Sequence, residues 1–160
     1  MENHLSHINP EGHPTMVDVS EKAATRRTAR ARATVRVGEQ IAHHLRALQH
    51  NMAKGAVFHT ASVAGVMAAK KTADLIPLCH PLGLDDCQVH LSLQEDKVVI
   101  DSLAVLTGKT GVEMEALTAA TVAALTVYDM CKAMSHQIVI EEVVLLEKTG
   151  GKQDFRRTGL

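Results

Sequence analysis

Residues 89–134 constrain the fold more than any other stretch. Val89-His90-Leu91-Ser92-Leu93 alternates apolar and polar side chains, Gln94-Glu95-Asp96-Lys97 is turn-like, and Val98 to Leu106 resumes a strand pattern. Two such runs joined by a short polar turn predict a β-hairpin. Thr107-Gly108-Lys109-Thr110-Gly111 breaks the second run. Val112 to about Met134 then proceeds without Pro or Gly and is rich in Ala, which predicts the longest helix of the chain.

The flanking segments complete the order. Thr34-Val35-Arg36-Val37 is β-branched and alternating, so it reads as a strand. Gly38-Glu39 opens a helical pattern through Ile41, Leu45 and Leu48 that ends near Asn51. Ala56 to about Lys71 predicts a second helix, stopped at Asp74-Leu75-Ile76-Pro77 because the residue before proline avoids helical geometry. Ile138–Ile140 and Val143–Leu146 make a final strand. With the two adjacent helices merged, the order is βαββαβ, the split-βαβ pattern of ferredoxin-like α+β domains. One antiparallel sheet would carry helices on one face. The other face, read as apolar enough to need cover, predicts an oligomer. At 160 residues one domain is expected: an N-terminal arm over 1–33, irregular at first and basic toward its end, the α+β domain over 34–148, and a tail over 149–160.

Composition removes several function classes. A net charge of −1 gives no whole-protein attraction to nucleic acid or membrane. Phe58, Tyr128 and Phe155 are the only aromatic side chains, which leaves no platform for stacking bases. No run approaches the length of a membrane span, and the Met1-Glu2-Asn3-His4 start lacks the basic and apolar regions of a signal peptide. Cys79, Cys87 and Cys131 form no paired framework, so reduced thiols in a cytoplasm are expected.

Four groups of residues are candidates for chemistry. Lys22, Arg26, Arg27, Arg30, Arg32, Arg36 and Arg46 crowd residues 21–50 against Glu21 and Glu39, either as a solvated face or as a collar for an anion. The Gly108–Gly111 turn is not a phosphate loop of the GxxxxGK[ST] type, because Leu103 occupies the first glycine position. An anion-attracting helix start and a plain strand-to-helix turn both remain open for it. Leu78-Cys79-His80 sits between Pro77 and Pro81, which fixes the loop, so His80 is either a structural histidine or a ligand donor or acid/base. Neighbouring Cys79 and His80 have no zinc-finger spacing.

The long helix carries the rest. Glu113 and Glu115 suit its N-terminus electrostatically, and their i, i+2 spacing predicts different faces. Asp129 and Lys132, three apart, read either as a surface ion pair or, given their apolar neighbours, as a partly desolvated pair whose lysine can have a lowered pKa. Glu115 and Asp129 stand roughly 21 Å apart along one helix. Either one helix end is functional, or two subunits contribute opposite ends to a shared pocket. A nucleotide-binding regulatory module and a structural scaffold remain alternatives to an enzyme; the first would bind its ligand without chemistry, and the second would bind none.

Several of these stretches coincide with one family. Met16-Val17-Asp18-Val19-Ser20, Lys54-Gly55, Asp74 to Leu82, Leu106 to Thr118 and Tyr128-Asp129-Met130-Cys131-Lys132-Ala133 closely resemble the cyclic pyranopterin monophosphate synthases, the MoaC family of molybdenum cofactor biosynthesis. The resemblance runs from about residue 5 to residue 155. It implies a ferredoxin-like subunit in a hexamer built as a trimer of dimers, with active sites at dimer interfaces. It implies conversion of 3′,8-cyclo-7,8-dihydro-GTP to cyclic pyranopterin monophosphate with loss of pyrophosphate. By matching motifs, Lys54, His80, Glu113, Glu115, Asp129 and Lys132 line the site. Lys54, Asp129 and Lys132 would be catalytic; Leu78, Cys79, His80, Glu113, Met114 and Glu115 would bind substrate. Arg27 and Arg30 would meet the triphosphate. The resemblance implies no redox cofactor, and Mg²⁺ would enter only with the triphosphate. Ala56 departs from the family, which often has Asp after Lys-Gly, and this bears on how the second helix is capped.

Overall fold

A computed structural model describes residues 5–47 and 52–159, with side chains excluded at 52–55. The elements are β1 (Thr25–Arg36), α1 (Glu39–Ala47), α2 (Met52–Ala69), α3 (Thr72–Leu75), β2 (Asp86–Gln94), β3 (Lys97–Gly108), α4 (Glu113–Cys131), β4 (Val139–Thr149) and β5 (Phe155–Arg156). The five strands form one open sheet in the order β2-β3-β1-β4-β5, and every neighbouring pair is antiparallel. The α+β class and the antiparallel sheet are as the sequence pattern anticipates.

The core follows from small residues. Ala29, Ala31, Ala33 and Val35 alternate along β1 and are wholly buried. Ala116, Ala120, Ala123, Ala124 and Val127 of α4 are equally buried and belong to the same core cluster. Packing methyl groups against methyl groups lets a helix backbone come close to a sheet, so the chain fills its interior without aromatic bulk. α4 lies across β1, β3 and β4; α2 packs beside it and over β2.

Gly65 marks the closest approach of the two helices. A Cβ there would stand 2.8 Å from the Ala119 carbonyl oxygen and 3.1 Å from a Val89 methyl. Gly65→Val is therefore expected to lower unfolding stability by about 2–3 kcal/mol through overpacking. The urea midpoint checks it; an unchanged midpoint would mean that the helices separate freely.

The structure departs from the sequence reading in its boundaries. β1 begins at Thr25, so residues 25–33, assigned above to the arm, are central strand. α2 starts at Met52 and passes through Lys54-Gly55, so Ala56 is not a capping position. The proposed helix end at Asn51 lies outside the described residues. In the tail, Phe155–Arg156 pairs with Lys148 and Glu147 of β4. That return depends on Gly150, which has φ +82 and leaves no room for a Cβ, since one would fall 1.9 Å from the Arg26 carbonyl oxygen.

The sheet face away from α2 and α4 is also less apolar than expected. Arg32 donates to both oxygens of Asp101 at 2.8 and 3.0 Å, and the Thr34 hydroxyl donates to Glu142 at 3.1 Å. Charged and aliphatic side chains share this face.

Candidate active site

The start of α4 is where distant parts of the chain meet. A cavity of about 750 Å³ opens there, a size suited to a nucleotide-sized ligand. Its walls come from the arm (Val17, Val19, Lys22), β1 (Arg27), the Pro77–Pro81 loop (Leu78, Cys79, His80), the β3–α4 turn (Lys109, Thr110, Gly111), α4 (Glu113, Met114, Glu115) and the β4 end with its following turn (Lys148 to Gln153).

Three contacts assemble these segments. The Lys109 ammonium donates to the Ser20 carbonyl at 2.7 Å and ties the arm to the turn. The Arg27 guanidinium reaches the Gly108 and Lys109 carbonyls at 3.4 and 3.5 Å. The Thr25 hydroxyl donates to the Gly150 carbonyl at 2.8 Å, which holds the β4–β5 turn against β1. The arm, read from sequence as irregular, is thus part of the cavity wall; Asp18 caps its own Ser20 amide and hydroxyl, and that bonding lowers its carboxyl pKa.

The two glutamates differ in environment. Glu113 is half-exposed and accepts a bond from the Lys148 ammonium at 2.9 Å. Glu115 is only 3% exposed. Burial pushes its carboxyl pKa up, and the nearby charge of Glu113 adds to the rise. The expectation that i, i+2 spacing would separate them is corrected here, since both line one cavity. Side chains tilt toward the helix N-terminus, so residues of the first turn can reach over its end from different positions. The helix start itself has no side-chain cap: Val112 stands at that position. Its free amides add partial positive charge.

Folding favours the protonated Glu115, because its folded pKa lies above its unfolded one. The associated stability is complete below the unfolded value and is lost as pH rises through the folded value. Glu115→Gln should therefore raise the melting temperature at pH 8 relative to wild type and leave it nearly unchanged at pH 4. Thermal unfolding at the two pH values checks this; equal effects would mean that the Glu115 pKa is the same in the folded and unfolded chain.

The remaining candidates divide. Leu78, Cys79, His80, Met114 and Arg27 all line the cavity. Cys79 remains a thiol, because burial and the Glu115 charge push its pKa up. Arg30 does not line it: β1 alternates, and Arg30 points to the opposite sheet face from Ala29 and Ala31, exposed. Lys54 is in the first turn of α2, and its side chain lies outside the described residues. Asp129 and Lys132 sit at the other end of α4, bonded at 2.6 Å, with side chains 69% and 53% exposed. This is the surface ion pair of the two readings, and the desolvated alternative with a depressed lysine is ruled out for the separate protomer. Asp129 holds the Lys132 pKa above its ordinary value by hydrogen bond and charge.

The sequence offered Lys22 only within the cationic group and Lys109 only within the Gly108–Gly111 turn, and it did not single out Lys148 or Lys152. Lys148 is the instructive case. β4 carries irregularities opposite Thr34/Val35 and Arg30/Ala31, so Ile140, Val143, Leu145 and Lys148 pair with Val35, Ala33, Ala31 and Ala29 on the helix-covered face. Simple alternation from Val143 and Leu145 would have sent Lys148 to the opposite side.

An α+β protein with a cationic, partly apolar cavity at a helix start, walled by loops and termini, has the build of a small-molecule binding protein for an anionic ligand. The family model described as "MoaC family" matches residues 16–151, well over half of the chain, and the protein belongs to the MoaC family. That places it in molybdenum cofactor biosynthesis, as an enzyme acting on a small molecule. Among the described residues no helix is long and apolar enough to cross a membrane.

Proposed function

We propose that the protein is a cyclic pyranopterin monophosphate synthase, a phosphorus–oxygen lyase that converts 3′,8-cyclo-7,8-dihydro-GTP to cyclic pyranopterin monophosphate and pyrophosphate. The observation that carries this reading is the convergence of Leu78-Cys79-His80 and Glu113-Met114-Glu115 in one cation-rich cavity. The Glu115 carboxyl, whose pKa burial raises, faces the guanine-derived edge. His80 donates to sugar or phosphate, and Arg27 faces the triphosphate. Lys54 and Lys132 move protons during ring opening and rebuilding, with Asp129 positioning Lys132. No redox cofactor is needed, and Mg²⁺ enters with the triphosphate.

Asp129 and Lys132 cannot reach the cavity of their own protomer along a straight helix. We therefore place the site between two subunits of a ferredoxin-like fold, within a hexamer arranged as a trimer of dimers. The sheet order β2-β3-β1-β4, with helices between β1 and β2 and between β3 and β4, supports the split-βαβ assignment. The unpaired thiols of Cys79, Cys87 and Cys131 suit a cytoplasmic enzyme. Mixing the protein with 3′,8-cyclo-7,8-dihydro-GTP should release pyrophosphate and yield a product detected as its oxidised pterin. Saturable binding without pyrophosphate release would indicate a regulatory module instead.

A further inference from the structure

One side chain breaks the apolar contact between the sheet and α4. Along β3, Val98, Ile100, Ala104 and Leu106 are buried on the helix-covered face, and Ser102 stands among them, opposite Ala31 of β1 and 3% exposed. Alanine would fill that position without burying a hydroxyl, which is unfavourable unless the group is bonded. The Ser102 hydroxyl is bonded across the layers. It donates to the Ala116 carbonyl of α4 at 2.7 Å, and the Ala31 carbonyl lies at 3.3 Å as a second acceptor. A hydroxyl has one hydrogen, so the shorter contact takes it. Ala116 follows Glu115 directly, and its amide makes the first helical bond, to the Val112 carbonyl at 3.2 Å. That turn has no side-chain cap, and its Glu113 is drawn aside by Lys148. Ser102 thus ties β3 to the turn of α4 that carries both glutamates and lacks a cap of its own.

Resting on the reading of the cavity as the substrate site, we propose that Ser102 is a positioning residue, whose hydroxyl sets the roll of α4 about its own axis and so aims Glu115 and Met114 into the cavity. Ser102 does not line the cavity itself; it acts through the backbone of Ala116. The need for such a tie follows from the packing. Ala116, Ala120 and Ala123 meet Ala29, Ala31 and Ala33 through methyl groups, and methyl contacts are non-directional. A hydrogen bond constrains both distance and angle. Side-chain ends stand roughly 6 Å from a helix axis, so a roll of about 10° moves a carboxyl by about 1 Å. A displacement of that size can lower turnover by about 10²-fold. The same closeness keeps Glu115 buried. Around it are Glu113 on its own helix, Cys79 and His80 on the Pro77–Pro81 loop, Lys109 in the β3–α4 turn, Lys148 on β4 and Arg27 on β1.

Three substitutions in the full chain test the tie. Ser102→Ala removes the bond, Ser102→Cys keeps the shape with a much weaker donor, and Ser102→Thr keeps the hydroxyl. The alanine and cysteine variants should fold, with melting temperatures a few degrees below wild type. Their kcat/KM for pyrophosphate release from 3′,8-cyclo-7,8-dihydro-GTP should fall about ten- to a hundredfold, and Ser102→Thr should restore it. A purely structural role would leave kcat and KM of the folded alanine variant at their wild-type values. A second readout needs no substrate. With α4 free to roll, water reaches Glu115 and its raised pKa relaxes toward the unfolded value. The gain in melting temperature from Glu115→Gln at pH 8 should therefore be smaller in the Ser102→Ala background than in wild type. Wild-type kcat and KM in Ser102→Ala, or full activity in Ser102→Cys, overturns the positioning role. If wild type itself yields no product, the reaction falls, and the melting comparison decides on Ser102 by itself: a diminished gain upholds the tie and an undiminished one overturns it.

Discussion

Lys132→Ala is expected to fold normally and to lose about 10²–10⁴-fold in turnover, the range typical of a missing general acid or base. Normal folding follows from position: the side chain is 53% exposed, and its single partner, Asp129, is 69% exposed. Exposed pairs of this kind contribute little to stability. The loss should fall on kcat more than on KM if the lysine moves a proton rather than binds substrate. In the separate protomer Asp129 keeps Lys132 an ammonium, so it enters the reaction as an acid unless a neighbouring subunit desolvates it. Near-normal product formation by Lys132→Ala, assayed as the oxidised pterin, would remove Lys132 from the mechanism.

The second large effect is a rescue. Protein carrying Lys132→Ala and protein carrying His80→Ala should each be nearly inactive. Unfolded, mixed in equal amounts and refolded together, they should recover about a quarter of the wild-type sites. Half of randomly formed two-fold pairs combine one of each, and in such a pair one of the two shared sites receives both intact ends. The argument rests on α4: His80 lines the cavity at its start, and Lys132 follows its last turn. Recovery of nothing, with mixed pairs verified by mass, would mean that each site draws on a single chain.

The sequence made the elements legible and missed much of what joins them. The hairpin and the long helix stand where their patterns place them, because apolar alternation and an unbroken Ala-rich run each admit one local structure. The first half of β1 was not legible for a tertiary reason. Ala29 to Ala33 alternates alanine with arginine, and alanine is a poor strand former in isolation. Only the pressure of α4 against Ala29, Ala31 and Ala33 makes it the right residue there. The same misreading put Arg27 and Arg30 together as one contact set, although three residues along a strand means opposite faces. At the site, the motifs flagged Leu78 to His80 and Glu113 to Glu115. Lys148 and Lys152 escaped notice because they are single residues in segments that only the folded chain brings to the cavity.

The paired irregularities of β4 also set a rule for how this strand can change in length. Each shifts by one the parity of every residue beyond it, and the shift nearer Gly150 is what turns Lys148 inward, beside Ala29. Removal of one residue from that shift would take out the extra residue and leave the ammonium on the same side, whereas removal of two would rotate it to the far side of the molecule. Natural variants of this segment should therefore lose that one extra residue or none, because loss of a second would turn Lys148 out of the cavity.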